Sequence, residues 1–165
     1  MKISEKIQQA INDQINMELA SSYAYLSMAA YFESLALDGF AHWMHLQRRE
    51  EDEHAMRFYN YMNDRDGRVM LKALGEPPHE FSSPLDAFEQ SLENERQVSA
   101  SIHALYDLAQ KEKDHATTSM LKWFVDEQVE EEKSVGDMVD RLKLAGDHPG
   151  ALLLLDREAA GRSDS

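Results

Sequence analysis

Cysteine is absent from the 165 residues, which removes disulfides and thiolate metal sites, so any bound metal must be held by oxygen and imidazole nitrogen. Glycine and proline are scarce, at seven and four, and sit mostly in three places, so little interrupts regular structure. No apolar stretch is long enough to cross a bilayer, and Met1-Lys2-Ile3-Ser4 runs into a helical pattern without a targeting segment. A cytoplasmic location and no membrane partner are the expectations. Positive charge is also short: 17 basic residues face 31 acidic ones, for a net charge of -14. Such a chain repels nucleic acid and attracts cations, although acidity also serves solubility alone.

What the sequence has is helical rhythm. The length suits one domain, 1–165, with no break in composition. Ile11, Ile15, Glu18, Ser22, Tyr25, Ala29 and Phe32 advance in steps of four and three, predicting an amphipathic helix over 5–36. Asp38-Gly39 reads as a turn, after which Met44, Gln47, Glu51, His54, Phe58 and Tyr61 repeat the rhythm as far as Asp66-Gly67. Residues 68–84 hold Gly75, Pro77, Pro78 and Pro84 and read as a connection. A third helix carries Leu85, Phe88, Leu92, Glu95, Ser99, Ile102, Tyr106 and Ala109, and breaks at Lys113-Asp114-His115. A fourth carries Leu121, Phe124, Gln128, Glu131, Val135, Met138, Leu142 and Ala145 and stops at Gly146. Pro149 then opens a short fifth helix, about 149–160, around Leu152-Leu153-Leu154-Leu155.

A helix of about 28 residues is about 42 Å long, and about 17 extended residues reach about 56 Å, so the long connection can cross a bundle. The fold class is therefore all-α: two antiparallel hairpins joined by one crossover into a four-helix bundle over 5–146, plus the fifth helix. The leucine run is too apolar for a free tail and calls for a partner surface, hence oligomerisation. The end, Arg162-Ser163-Asp164-Ser165, reads as an unstructured polar tail.

Each long helix interrupts its apolar seam near its middle: Glu18 on the first, Glu51 with His54 on the second, Glu95 on the third, Gln128 with Glu131 on the fourth. In an aligned bundle these meet at one level, where uncompensated carboxylates would each cost several kcal/mol. A metal ion removes that objection. Glu51 and His54, three residues apart, project from one helical face and can hold one ion together. One Glu from each of two helices plus a Glu-x-x-His from each of the others is the pattern of ferritin-like di-iron proteins. Here the fourth helix offers Gln128-x-x-Glu131 instead, so a second ion should be held more weakly. His42-x-x-His45 has ligand spacing but lies beside the seam, and reads as a solvated face. Trp123 is open, and from spacing alone Tyr25 reads as a core aromatic.

The blocks Asn16-Met17-Glu18-Leu19-Ala20-Ser21-Ser22-Tyr23-Ala24-Tyr25-Leu26, Glu50-Glu51-Asp52-Glu53-His54-Ala55 and Trp123-Phe124-Val125-Asp126-Glu127-Gln128-Val129-Glu130-Glu131-Glu132 resemble those of the bacterial non-haem ferritins, over essentially the whole chain. That resemblance implies a ferroxidase that oxidises Fe(II) with O2 or H2O2 and stores it as ferric oxyhydroxide in a hollow shell of 24 subunits. It implies a first iron site of Glu18, Glu51 and His54, and a second of Glu51, Glu95 and Gln128 or Glu131. It further implies an inner site of Glu50, Glu127, Glu130 and Glu131, and a role beside the irons for Tyr25. Asp114 and its neighbours would line an iron-admitting channel by the same likeness. Haem is not expected, because Asp52 stands where haem-binding relatives carry Met and the second Glu-x-x-His is missing. Two other readings of the same bundle are a rubrerythrin-like peroxidase, which the absence of a Cys-x-x-Cys module disfavours, and a metal-free scaffold.

Overall fold

The computed structural model describes residues 2–164. Five helices follow one another: α1 (Glu5–Ser34), α2 (Asp38–Asp64), α3 (Pro84–Lys111), α4 (His115–Ala145) and α5 (Pro149–Ala159). None is long and apolar enough to cross a membrane. Three of the starts are capped from within: Ser4 accepts from the amide of Ile7, Ser83 from Asp86, and Asp114 from Thr117, which satisfies amides that have no intrahelical partner.

α1 and α2 form one antiparallel hairpin and α3 and α4 the other. Phe32, Phe40, Phe88 and Val139 pack together at one end, and Ile7, Phe58, Ile102 and Leu121 at the opposite end. The segment 65–83 therefore climbs the full bundle, and it does so along α1. Gln8 accepts from the amide of Arg68, Asn12 bonds Arg68 and Met70, Lys72 pairs with Asp13, and Ser27 donates to the carbonyl of Pro78. The single crossover expected from the sequence is present.

Two boundaries differ from the sequence expectation. Pro84 is the first residue of α3 rather than the last of the connection, because its missing N–H falls among amides that a helix start leaves unbonded anyway. Asp38 and Gly39 lie inside α2. The reversal is made at 35–37, with Ala36 at a φ of 56°. Gly39 has another reason to be glycine: a Cβ there would sit 1.7 Å from the backbone oxygen of Asp156, so α5 touches the backbone of α2. The same Asp156 accepts from the amide of Phe40 at 2.8 Å, supplying the cap that Leu37, at the N-terminus of α2, does not. A Gly39→Ala chain should push α5 off α2 and lose about 2–4 kcal/mol of stability, overpacking plus a lost cap, read as a lower thermal unfolding midpoint.

The apolar core is not continuous. One cluster, rich in phenylalanine, surrounds Phe32, Phe40 and Phe88, and a second, rich in isoleucine, surrounds Ile7, Ile11 and Ile15 with Phe58 stacked on Phe124 at 4.0 Å. Between them lies a polar layer contributed by α1 to α4. The leucine run divides: Leu155 is buried and Leu152 packs on the first cluster, while Leu153 and Leu154 are each 59% exposed.

Candidate metal centre

The polar layer is the meeting level that the seam interruptions predicted. Glu18, Glu51, His54, Glu95, Gln128 and Glu131 are all at most 5% exposed. An oxygen of Glu18, an oxygen of Glu51 and a ring nitrogen of His54 lie within 4.8 Å of one another, and by the same measure His54 groups with Glu127 and Glu131. Nδ1 of His54 is 3.7 Å from Oε2 of Glu51. The imidazole is held edge-on against Trp123 and Phe124, with ring centroids 5.5 and 5.9 Å away. Trp123 thus touches the centre, and its other side carries the Arg57 guanidinium at 3.6 Å.

A frame of amides and hydroxyls orients these groups. Gln14 donates to Glu18 at 2.8 Å and accepts from Ser101. Gln47 donates to Glu131 at 2.9 Å. Glu95 is held from two sides, by the Tyr25 hydroxyl and by the Gln128 amide, which also reaches Ser99. Ser91 donates to Tyr25 at 2.9 Å. Tyr25 is therefore bonded to a carboxylate of the centre rather than being core filling alone. Gln14, Gln47, Ser91 and Ser99 went unassigned as functional residues in the sequence. Two of them carried a signal: Gln14 and Gln47 sit one helical turn before Glu18 and Glu51, on the same faces.

Several lone pairs remain without a donor. Oε2 of Glu18, both oxygens of Glu51, Nδ1 of His54, and Oε1 of Gln47 and Gln128 are buried and unbonded. Acceptors left unpaired in this way are destabilising unless a cation joins them. No lysine or arginine is buried among the described residues, and the His54 imidazole, which opposes the rise at Glu131, does not outweigh burial and Glu95 there. The electrostatics follow. Glu51 is pushed well above the usual carboxylate range by burial, reinforced by Glu95, Glu18 and Glu131. Burial raises Glu95 to about 7 despite the Tyr25 bond, and raises Glu131 to about 8, with Glu95 adding to it. Burial, then Glu95 and Glu51, lift the Tyr25 phenol well above its ordinary value. Protons or metal ions must neutralise this layer, and its oxygen and imidazole donors suit iron or zinc.

Beside it, toward the surface, stand the remaining acidic residues read from the sequence. Glu127 is partly buried and raised by desolvation, with Glu130 and Glu50 adding to it; Glu130 is exposed. Glu50 pairs with Arg162 at 3.0 Å. The tail is therefore not free as far as residue 164: Arg162 stacks over Trp43, its carbonyl bonds His42, and Asp164 pairs with Arg49. The sequence reading missed this because the contacts join residues over 110 positions apart. Ser165 lies outside the described residues. His42 and His45 do not converge on a metal, since one holds the tail and the other pairs with Glu33. Asp114 caps α4 and is paired twice with Arg65, at 3.1 and 2.9 Å, so within the chain its carboxylate serves first to hold the α2 and α4 ends together.

Residues 8–145 match the family model described as a ferritin-like domain. Over 161 residues, 98% of this chain and 97% of its relative, the chain is 41% identical to the bacterial non-heme ferritin of Staphylococcus epidermidis; the Staphylococcus aureus bacterial non-heme ferritin is 38% identical over the same extent. The solved structure of an open pore ferritin from the archaeon Archaeoglobus fulgidus superposes with a TM-score of 0.97 at 50% identity, covering 98% of this chain and 100% of that one. An engineered closed form of the Archaeoglobus fulgidus ferritin gives 0.97 at 49% identity, covering 99% and 100%. Likeness that runs from the first helix of the bundle through the last, in sequence and in fold alike, makes this chain a member of the ferritin family.

Proposed function

We propose that the chain, as a single ferritin-like domain, stores iron by oxidising it at the buried layer and passing the ferric product inward. The observation that carries this reading is the convergence of unpartnered Glu18, Glu51, His54, Gln47 and Gln128 side-chain atoms in a layer where no lysine or arginine is buried among the described residues. Fe(II) is the substrate. Glu18, Glu51 and His54 take the first ion; Glu51, Glu95 and Gln128 or Glu131 take the second. Glu51 is the shared ligand, because both its oxygens are unbonded while those of Glu95 are committed to Tyr25 and Gln128. Two irons each give up one electron, matching the two that O2 needs to become H2O2, or H2O2 to become water, with two protons taken up. Tyr25, bonded to Glu95, is placed to pass a proton or an electron.

His54 and Glu131, shared between the two acidic groups, lead toward Glu50, Glu127 and Glu130, which we assign to iron leaving for the mineral. The second ion, held partly by an amide, is the weaker and the readier to move on. Leu153 and Leu154, left uncovered by their own chain, are assigned to contacts between copies in a hollow homo-oligomer of 24 subunits in the cytoplasm, with no haem, nucleic acid or membrane partner. Native mass measurement followed by loading with excess Fe(II) in air tests the reading. A particle of 24 chains taking up far more iron than three ions per chain is expected. A dimer that stops at two or three ions per chain would point instead to a di-iron redox enzyme.

A further inference from the structure

Arg162 is unusual among the basic residues. It is delivered by the segment after α5, it reaches the carboxylates beside the metal centre, and its side chain is only 19% exposed. Its Nη2 meets Oε2 of Glu50 at 3.0 Å while its Nη1 is buried without a partner. The firmest guanidinium–carboxylate pairs are bidentate, as Arg65 is on Asp114; Arg162 holds Glu50 with a single arm. What keeps it there is the path of the chain. The guanidinium lies 4.4 Å over the Trp43 ring, the Arg162 carbonyl bonds His42 at 2.8 Å, and α5 is anchored by Asp156 on Phe40.

Glu50 in turn raises the carboxyls of Glu127 and Glu131, so it belongs electrically to the group through which, in the proposed function, iron leaves the centre. A metal ion and Arg162 therefore want the same carboxylate. We infer that Arg162 is a tethered competitor for the inner iron position: it neutralises Glu50 while the position is empty and must be displaced, together with the tail, when an ion arrives. The inference rests on the inner-site reading above and adds the device that regulates it. Displacement lifts the guanidinium from Trp43, so occupancy of the inner position is coupled to the state of the C-terminal segment, and by linkage a fixed tail weakens binding there.

Zn(II), which carries no redox chemistry and does not quench by electron transfer, is the probe. Calorimetric titration of the assembled, iron-free protein gives equivalents per chain, and those lost in Glu127→Gln define the inner position. Arg162→Ala and Arg162→Gln should bind the inner equivalent about 5- to 20-fold more tightly, with Arg162→Lys close to wild type, because charge and not shape is what competes. In a Trp123→Phe background, where Trp43 is the sole indole, saturating the inner equivalent should shift emission in the chain with Arg162 and leave the Arg162→Ala chain unmoved. If the inner equivalent binds equally tightly with and without Arg162 and Trp43 does not respond, the competitor is wrong and the storage reading stands. If no inner equivalent is found even in Arg162→Ala, the inner site itself is wrong and the competitor falls with it.

Discussion

A Glu51→Ala chain is expected to oxidise Fe(II) at least about 100-fold more slowly than wild type and, when metal-free at about pH 8, to unfold at a higher temperature. Both effects come from one carboxylate. Glu51 is fully buried, no amide, hydroxyl or base donates to its two oxygens, and three other glutamates face it, Glu18 and Glu95 near enough to share a proton with it. For the metal-free fold that is a penalty, because a buried carboxylate without a partner is destabilising by several kcal/mol or must carry a proton taken up against neutral solution. For iron it is the ligand that two ions share. Alanine removes the penalty and leaves a cavity of part of a side chain, so the net gain should be about 1–3 kcal/mol. Stopped-flow absorbance of Fe(II) oxidation and calorimetry of the metal-free protein measure the two. Oxidation at the wild-type rate would remove Glu51 from the centre, and a lower unfolding temperature would mean that the wild-type carboxylate is already satisfied.

The second large effect is on pH dependence. Burial raises Glu95 to about 7 and Glu131 to about 8, and Glu51 also lies well above its ordinary value. A carboxyl with a raised folded-state pKa binds its proton more tightly in the folded chain than in the unfolded one. Its contribution is fully present below the unfolded value, about 4.3, and is lost as pH rises through the folded value. The metal-free protein should therefore be most stable near pH 5 and lose several kcal/mol by about pH 8, since each unit of displacement is worth about 1.4 kcal/mol. Saturating Zn(II) should reverse the trend, stabilising more at pH 8 than at pH 5, because the ion takes the place of the protons. Denaturant unfolding at about pH 5, 6.5 and 8, with and without Zn(II), follows both limbs. A metal-free protein that is more stable at pH 8 than at pH 5 contradicts the electrostatics of the layer.

Much of this was legible along the chain. Glu18, Glu51, His54, Glu95, Gln128 and Glu131 break apolar seams whose period is that of a helix, and a seam residue faces a core wherever the helix packs. The crossover followed from seventeen residues rich in proline and glycine, long enough to span the bundle. Less legible were the supports. Gln47 bonds Glu131 on another helix, and Ser91 reaches Tyr25; nothing local in a glutamine or serine says which distant carboxylate it will meet. Asp38-Gly39 has the composition of a turn, but its glycine answers to a backbone 117 positions away.

The sequence by itself therefore determined the helices, their pairing, the level of the buried layer and the ligand types in it, because periodicity and chain length act locally. The tertiary structure alone decided that the layer holds unpaired acceptors with no lysine or arginine buried among the described residues, that Asp114 pairs with Arg65, and that Arg162 returns to Glu50. Those outcomes depend on which side chains meet across helices and on how much water each is denied, and burial with its displaced proton affinities exists only once the chain has closed around them.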